Sequence, residues 1–120
     1  PRIVLTDFIE GQELAELYSN AYIYVLPSDL EGMPMSLLEA MSYGNCCLTS
    51  DIPECAEVVE DYAVTFHKSD IADLTAKLSN LLADSSRVAE LQATAANYIT
   101  QKYNWDKVVD QTLALYKATE

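Results

Sequence analysis

The amino-acid sequence predicts an α/β fold: a parallel sheet of about four strands flanked by helices, with helices alone at the C-terminal end. Three observations carry that expectation. Short apolar runs alternate with stretches of helical periodicity from Arg2 to Phe66. One of those runs, residues 22–26 (YIYVL), is too uniformly apolar for a strand wetted on one side, which favours a parallel sheet covered on both faces. After Phe66 the apolar residues recur only at helical spacing.

Residues 2–8 (RIVLTDF) are short, β-branched and apolar, and read as the first strand. Gly11 closes the connection, and Leu14, Leu17, Tyr18 and Ala21 share one face of a helix over about 12–20. Residues 22–26 form the second strand, stopped by Pro27. A helix then runs to Gly44-Asn45, residue types that tolerate the left-handed conformation at a helix C-terminus. Residues 46–50 (CCLTS) are the third strand, and Asp51-Ile52-Pro53 a turn whose proline opens a short helix through Val59. Residues 62–66 (YAVTF) are the fourth, near a sheet edge. Ser69 or Asp70 caps a helix with Leu74, Leu78, Leu81 and Leu82 on one stripe. Asp84-Ser85-Ser86 ends it and starts another, with Val88, Leu91, Ala95, Tyr98 and Ile99 inward. Asn104 or its neighbour caps the last helix, where Trp105, Val108, Val109, Thr112 and Tyr116 share a face.

A length of 120 residues suits one domain. Seven basic against nineteen acidic residues leave a net charge of −12, and the basic ones are scattered. Nucleic acid is therefore not an expected partner, because neutralising phosphates needs clustered Lys and Arg. No apolar run approaches the roughly 20 residues of a membrane span, and no signal peptide is visible. The expected location is cytoplasmic, with any peripheral membrane contact made through a domain outside this stretch. Cys46, Cys47 and Cys55 show no metal or redox spacing and read as reduced, partly buried thiols. The chain opens at Pro1 and runs almost at once into an apolar stretch, so a domain cut from a longer polypeptide is expected.

The stretch from Leu26 to Gly44 concentrates the candidate chemistry: a strand end, a short polar loop and a helix closed by glycine. In open α/β sheets, ligands bind beyond the C-terminal ends of the strands, and this loop leaves such an end. Pro34 near the first helical turn wastes no donor, so neighbouring free amides can face an anion or a sugar hydroxyl. Gly32 lets the backbone come close to a ligand. At 100° per residue, Leu37, Leu38 and Met41 fill an arc of roughly 100°, while Glu39 points about 150° from its centre, free to face a cleft. Glu31 and Glu39, with seven residues between them, are the candidate polar groups. The bland alternative makes them a loop surface charge and a solvated helix residue. His67, the only histidine, reads as a surface or packing residue, and Glu54 and Glu57 as parts of a solvated helix. Met33, Met35 and Met41 fill gaps, and the first two can also line a sugar pocket.

Pro27, Ser28, Glu31, Gly32, Leu38, Glu39, Ala40, Met41 and Gly44 form one spaced pattern. It continues in Ser50-Asp51-Ile52-Pro53-Glu54 and Glu57-Val58-Val59, and the chain ends with Tyr103-Asn104-Trp105 and Leu115-Tyr116. This resembles the C-terminal donor-binding domain of the family 4 (group 1) retaining glycosyltransferases, enzymes of two Rossmann-like domains known as the GT-B fold. The likeness covers nearly the whole chain. It implies a partial nucleotide-sugar-binding domain over 1–120, with 70–120 as a helical C-terminal segment.

Glu31 then matches the position that contacts donor-sugar hydroxyls near the reacting centre, and is the one residue expected to act catalytically. Glu39 matches the glutamate that hydrogen-bonds the nucleotide ribose, where a bidentate acceptor suits a vicinal diol. Main-chain amides around Gly32, Met33, Met35 and Ser36 would meet the sugar or the diphosphate. The resemblance implies that the parent moves a sugar from a UDP-, GDP- or ADP-sugar donor to an acceptor (glycan, lipid or small molecule), with retention and without a cofactor or metal. This stretch alone is expected to be inactive. A nucleotide-sugar epimerase or phosphorylase on the same fold, or a non-catalytic nucleotide-binding or interaction module, stand as alternatives.

The chain departs from the pattern in four ways. The family's diphosphate-holding Arg and Lys would precede Pro1, as would the acceptor domain. Asp7 stands where a glycine is common, and Cys46-Cys47-Leu48 where a proline-valine-valine type of strand is usual. The family's last helix packs back on the other domain, so here Trp105 and Tyr116 are expected to be partly exposed or to cover a neighbouring molecule.

Overall fold

A computed structural model describes residues 3–118 of the chain. In order, the elements are α1 (Gly11–Asn20), β1 (Ile23–Leu26), α2 (Met35–Ser42), β2 (Cys46–Ser50), α3 (Pro53–Val59), β3 (Val64–Phe66), α4 (Ile71–Ala83), α5 (Ser85–Lys102) and α6 (Trp105–Ala118). The three strands lie in the order β1-β2-β3 and are all parallel. Ile23 sits opposite Cys46 and Leu26 opposite Thr49, and on the other side Ser50 pairs with Phe66. Parallel strands need crossovers, and α2 and α3 supply them.

All five residues of β2 are buried, as a strand flanked by neighbours and covered on both faces must be. Because side chains alternate, the strand serves two cores. Cys47 faces Leu37, Ala40 and Met41 of α2 and Cys55, Val58 and Val59 of α3. Cys46 and Leu48 face Phe66, Leu81, Val88 and Leu91 on the α4 side. Helix α5 serves both layers, with Val88 and Leu91 in the second and Ala95 and Ile99 in the first. Each fully buried aliphatic side chain contributes roughly 1.5–3 kcal/mol.

Three strands stand where about four are expected. Residues 3–8 form no strand, and Ile3, Leu5 and Phe8 are 85%, 90% and 84% exposed. An apolar, β-branched stretch becomes a strand only with a ladder partner and a face to bury, and this one has neither. Arg2, the expected start of that strand, lies outside the described residues. So do the side chains of Trp105 and Val108, and with them part of the expected inward face of α6. Asp7 adopts a φ of +55°, the left-handed region that favours glycine, at the position where the sequence pattern has a glycine.

Most helix ends follow their chemistry. Asp70 and Asp84 accept the amides of Asp73 and Arg87, capping α4 and α5. Asn104 accepts the amides of Asp106 and Lys107 at the start of α6. Helix α2 ends in a Schellman motif: Asn45 N–H donates to the Ala40 carbonyl, Gly44 N–H to that of Met41, and Gly44 has a φ of +79°. Buried Asn45 adds side-chain bonds to the carbonyls of Tyr18 and Ala40. Leu82, expected on the inward stripe of α4, is exposed. It sits about 80° around the helix from Leu74, past the margin of the stripe.

The end of α3 is clamped from α5. Tyr98 Oη lies 2.6 Å from the Val58 carbonyl and 2.7 Å from Glu60 Oε2, so its single proton serves one of two acceptors. Lys102 Nζ donates to the Glu57 carbonyl and pairs with Glu60. Tyr62 stacks on Tyr98 with ring centroids 4.0 Å apart.

Candidate functional site

Parallel strands put their carboxyl ends along one edge of the sheet, and a polar network occupies that edge. After β1, Ser28 Oγ donates to Glu31 Oε1 at 2.6 Å, and the buried Ser50 hydroxyl at the end of β2 donates to the Ser28 carbonyl at 2.5 Å. Thr49 Oγ1 reaches the Leu26 carbonyl at 3.3 Å. Ser69, in the turn after β3, donates to Asp29 Oδ1 at 2.8 Å. Asp51 accepts the Lys68 amide at 3.0 Å and lies 2.9 Å from His67 Nδ1. That amide first, with His67 after it, holds the Asp51 carboxyl below its usual range. His67 is exposed, as expected of a surface residue, and its contribution is this pair with Asp51.

The start of α2 lies beside this edge. Pro34 is buried and no side chain caps the helix. Met35 N–H turns back to the Met33 carbonyl at 2.8 Å, and the amides of Leu37 and Leu38 both close on the Pro34 carbonyl at 3.1 Å. Helical geometry leaves Ser36 N–H without an intrahelical acceptor. The Ser36 hydroxyl accepts from Tyr24 Oη at 2.8 Å, joining β1 to the first turn of α2. Met33 and Met35 are both exposed. Gly32 is exposed, its φ is not left-handed, and a Cβ there would meet nothing within 4 Å.

Glu31 and Glu39 occupy different surroundings. Glu31 is half-buried in the strand-end network. Glu39 is exposed on the outer side of α2, where it lines a cavity of about 220 Å³ with Met35, Leu38, Ser42, Ile99, Thr100 and Tyr103. Burial, then Tyr24 and then Glu39 push the Tyr18 hydroxyl up to about 12. The larger cavity, about 680 Å³, is lined by neither glutamate and lies between α1 and the residues before it, beside Tyr24 of β1. Its lining, with Leu14, Leu17 and Ile9, is mostly apolar and suits packing rather than polar chemistry. Among the described residues, no group of three or more His, Cys, Asp or Glu is placed to hold a metal ion. No helix among them is long and apolar enough to cross a membrane.

The family described as "Glycosyl transferases group 1" matches residues 1–104. The chain belongs to that family. This group 1 glycosyltransferase chain is 36% identical over 106 residues to N,N'-diacetylbacillosaminyl-diphospho-undecaprenol alpha-1,3-N-acetylgalactosaminyltransferase of Campylobacter jejuni, covering 87% of this chain and 28% of that protein. It is 29% identical over 112 residues to O-antigen chain mannosyltransferase B of Escherichia coli, covering 92% and 29%. A solved structure of sucrose-phosphate synthase from Thermosynechococcus elongatus superposes with a TM-score of 0.86 at 24% identity, over 98% of this chain and 30% of that one. The likeness establishes the GT-B fold of this part. The chain thus spans about three-tenths of the length of the proteins it resembles.

The sequence singles out Glu31 and Glu39 and places Ser50-Asp51 in the spaced pattern, but it does not give the contacts that Ser50, Asp29, Asp51 and Ser69 make at the strand ends. A signal was present. A Ser-Asp pair follows or closes every strand of the sheet: Ser28-Asp29, Ser50-Asp51 and Ser69-Asp70.

Proposed function

We propose that this group 1 glycosyltransferase chain is the donor-binding part of an enzyme that transfers a sugar from a nucleotide-diphosphate donor to an acceptor, with retention. The observation that carries the reading is the placement of two motif glutamates in a member of this family: Glu31 beyond the end of β1 and Glu39 on the outer face of α2. In this reading Glu31 accepts hydrogen bonds from sugar hydroxyls beside the reacting centre. Glu39 accepts the ribose hydroxyls, in the groove it shares with Met35 and Tyr103. The amides of Gly32, Met33 and Ser36 face the diphosphate, and the positive end of α2 offsets its charge as the bond to the sugar breaks. Open space above Gly32 lets the donor approach the backbone. Cationic partners for the diphosphate, the acceptor site and the acceptor domain would come from the remainder of the protein. The free, buried thiols fit a reducing cytoplasm.

The test is product analysis with the full-length protein and a panel of labelled UDP-, GDP- and ADP-sugars. A glycoside whose anomeric configuration matches the donor is the expected product. An epimerised donor or free sugar phosphate without any glycoside would overturn the transferase reading in favour of an epimerase or phosphorylase on the same fold.

A further inference from the structure

The geometry points to Ser28 as a positioning residue that sets the Glu31 carboxylate for the donor sugar, with buried Ser50 as its anchor; this rests on the sugar-contacting role proposed for Glu31. The spacing Ser-x-x-Glu ordinarily marks a capping box, in which the serine hydroxyl meets a backbone amide at a helix start. Here no helix begins at Ser28, and the hydroxyl meets the glutamate side chain at 2.6 Å. A serine hydroxyl has one proton, and this one is committed to Glu31 Oε1. The bond is charge-assisted and short, so it holds the carboxylate in one rotamer, with Oε2 and the second lone pair of Oε1 open to incoming hydroxyls.

Positioning requires that Ser28 itself be fixed. Its carbonyl accepts from Ser50 Oγ at 2.5 Å, and Ser50 is 1% exposed on the central strand. The next residue, Asp29, is held by Ser69 from the turn after β3. The loop is thus tied to the end of β2 and to the turn after β3, and Glu31 inherits the rigidity of the sheet. A preorganised acceptor loses less freedom when the sugar arrives, which is where the affinity gain would come from. The consequence is specific: a carboxylate held in one orientation favours donors that place a hydroxyl in line with its open acceptor sites.

Two measurements on the full-length protein test this. Three-bond NMR couplings of Glu31 report its χ1 rotamer: a single rotamer is expected in the native chain, averaging in Ser28→Ala, and a single rotamer again in Ser28→Thr. Calorimetry compares UDP-glucose, GDP-mannose and ADP-glucose with UDP, GDP and ADP. Ser28→Ala should lose about tenfold in affinity for the sugar nucleotide it binds, the scale of one charge-assisted hydrogen bond, with the matching bare nucleotide unaffected. Ser28→Thr should restore it. A Glu31 that stays in one rotamer in Ser28→Ala overturns the proposal, and so does an equal loss for nucleotide and sugar nucleotide. If instead Glu31→Gln leaves sugar-nucleotide affinity unchanged, the sugar-contacting role of Glu31 fails, while the couplings still decide whether Ser28 orders it.

Discussion

Gly32 is a residue whose own protein makes no demand on it. Its φ is ordinary and a Cβ would enter open space, so Gly32→Ala should leave thermal stability unchanged or raise it by up to about 1 kcal/mol through the unfolded chain. If a donor approaches this backbone, the same substitution should weaken nucleotide-sugar binding, measured by calorimetry. Unchanged affinity would remove Gly32 from the site. Glu39→Ala should reduce affinity for nucleoside diphosphates by about tenfold or more, since a ribose diol would lose its charged acceptor. Stability should shift by no more than about 0.5 kcal/mol, because the residue is exposed. The surroundings of both glutamates were legible in the sequence, Glu31 in the loop after a strand and Glu39 by its outward angle on the helix, while the roles given to them came from the family resemblance. The partnership of Ser28 with Glu31 was not legible, because Ser-x-x-Glu is locally ambiguous between a cap and a side-chain pair. Nor was Asp29 with Ser69, forty residues apart, since that contact depends on how the strand ends line up.

Elements were legible where local chemistry decides them. Asp70, Asp84, Asn104 and Gly44 mark their helix ends by side-chain capping or by tolerance of positive φ, and the runs behind β1, β2 and β3 were short and apolar. Residues 3–8 carry the same strand propensity, yet pairing depends on a neighbour that propensity cannot supply. At Gly44 the conformation itself is demanding. Gly44→Ala, at a φ of +79° with the Gln92 carbonyl 3.6 Å from the new Cβ, should cost about 1–2 kcal/mol in chemical denaturation. The α3–α5 clamp predicts a pH dependence. The Tyr98 hydroxyl first, and Lys102 after it, hold the Glu60 carboxyl below its usual range. A carboxyl lowered in the folded state adds stability above its ordinary pKa, and loses it as pH falls through the lowered value. Melting temperature should therefore decline on the acid side of the normal carboxylate range, and Tyr98→Phe should both lower it at neutral pH and flatten that decline. An acid limb of unchanged steepness in Tyr98→Phe would place the effect elsewhere.

At the scale of the whole molecule, the radius of gyration is 16.4 Å, against about 14 Å for a compact chain of this length. The surplus goes with apolar surface that a self-sufficient domain would cover. Val109, Leu113, Leu115 and Tyr116 of α6 are exposed, as are Ile3, Leu5 and Phe8. The free edge of β1, unpaired among the described residues, adds an open ladder. The 120-residue chain on its own should therefore associate as its concentration rises, seen as increasing mass in light scattering. A monodisperse monomer across concentrations would show that these surfaces are tolerated bare. The exposure of Tyr116 agrees with the expectation from the family resemblance, and periodicity alone did not reveal it, because an apolar stripe looks the same whether its partner is present or absent. The two adjacent cysteines of β2 have a different use. Burial raises both thiols, Cys47 to about 12, so neither reacts with an alkylating reagent until its layer opens. Since Cys46 looks into the α4 side and Cys47 into the α2–α3 side, their separate labelling rates time the opening of each layer. The strand at the centre of the sheet thus carries two clocks, one for each half of the molecule.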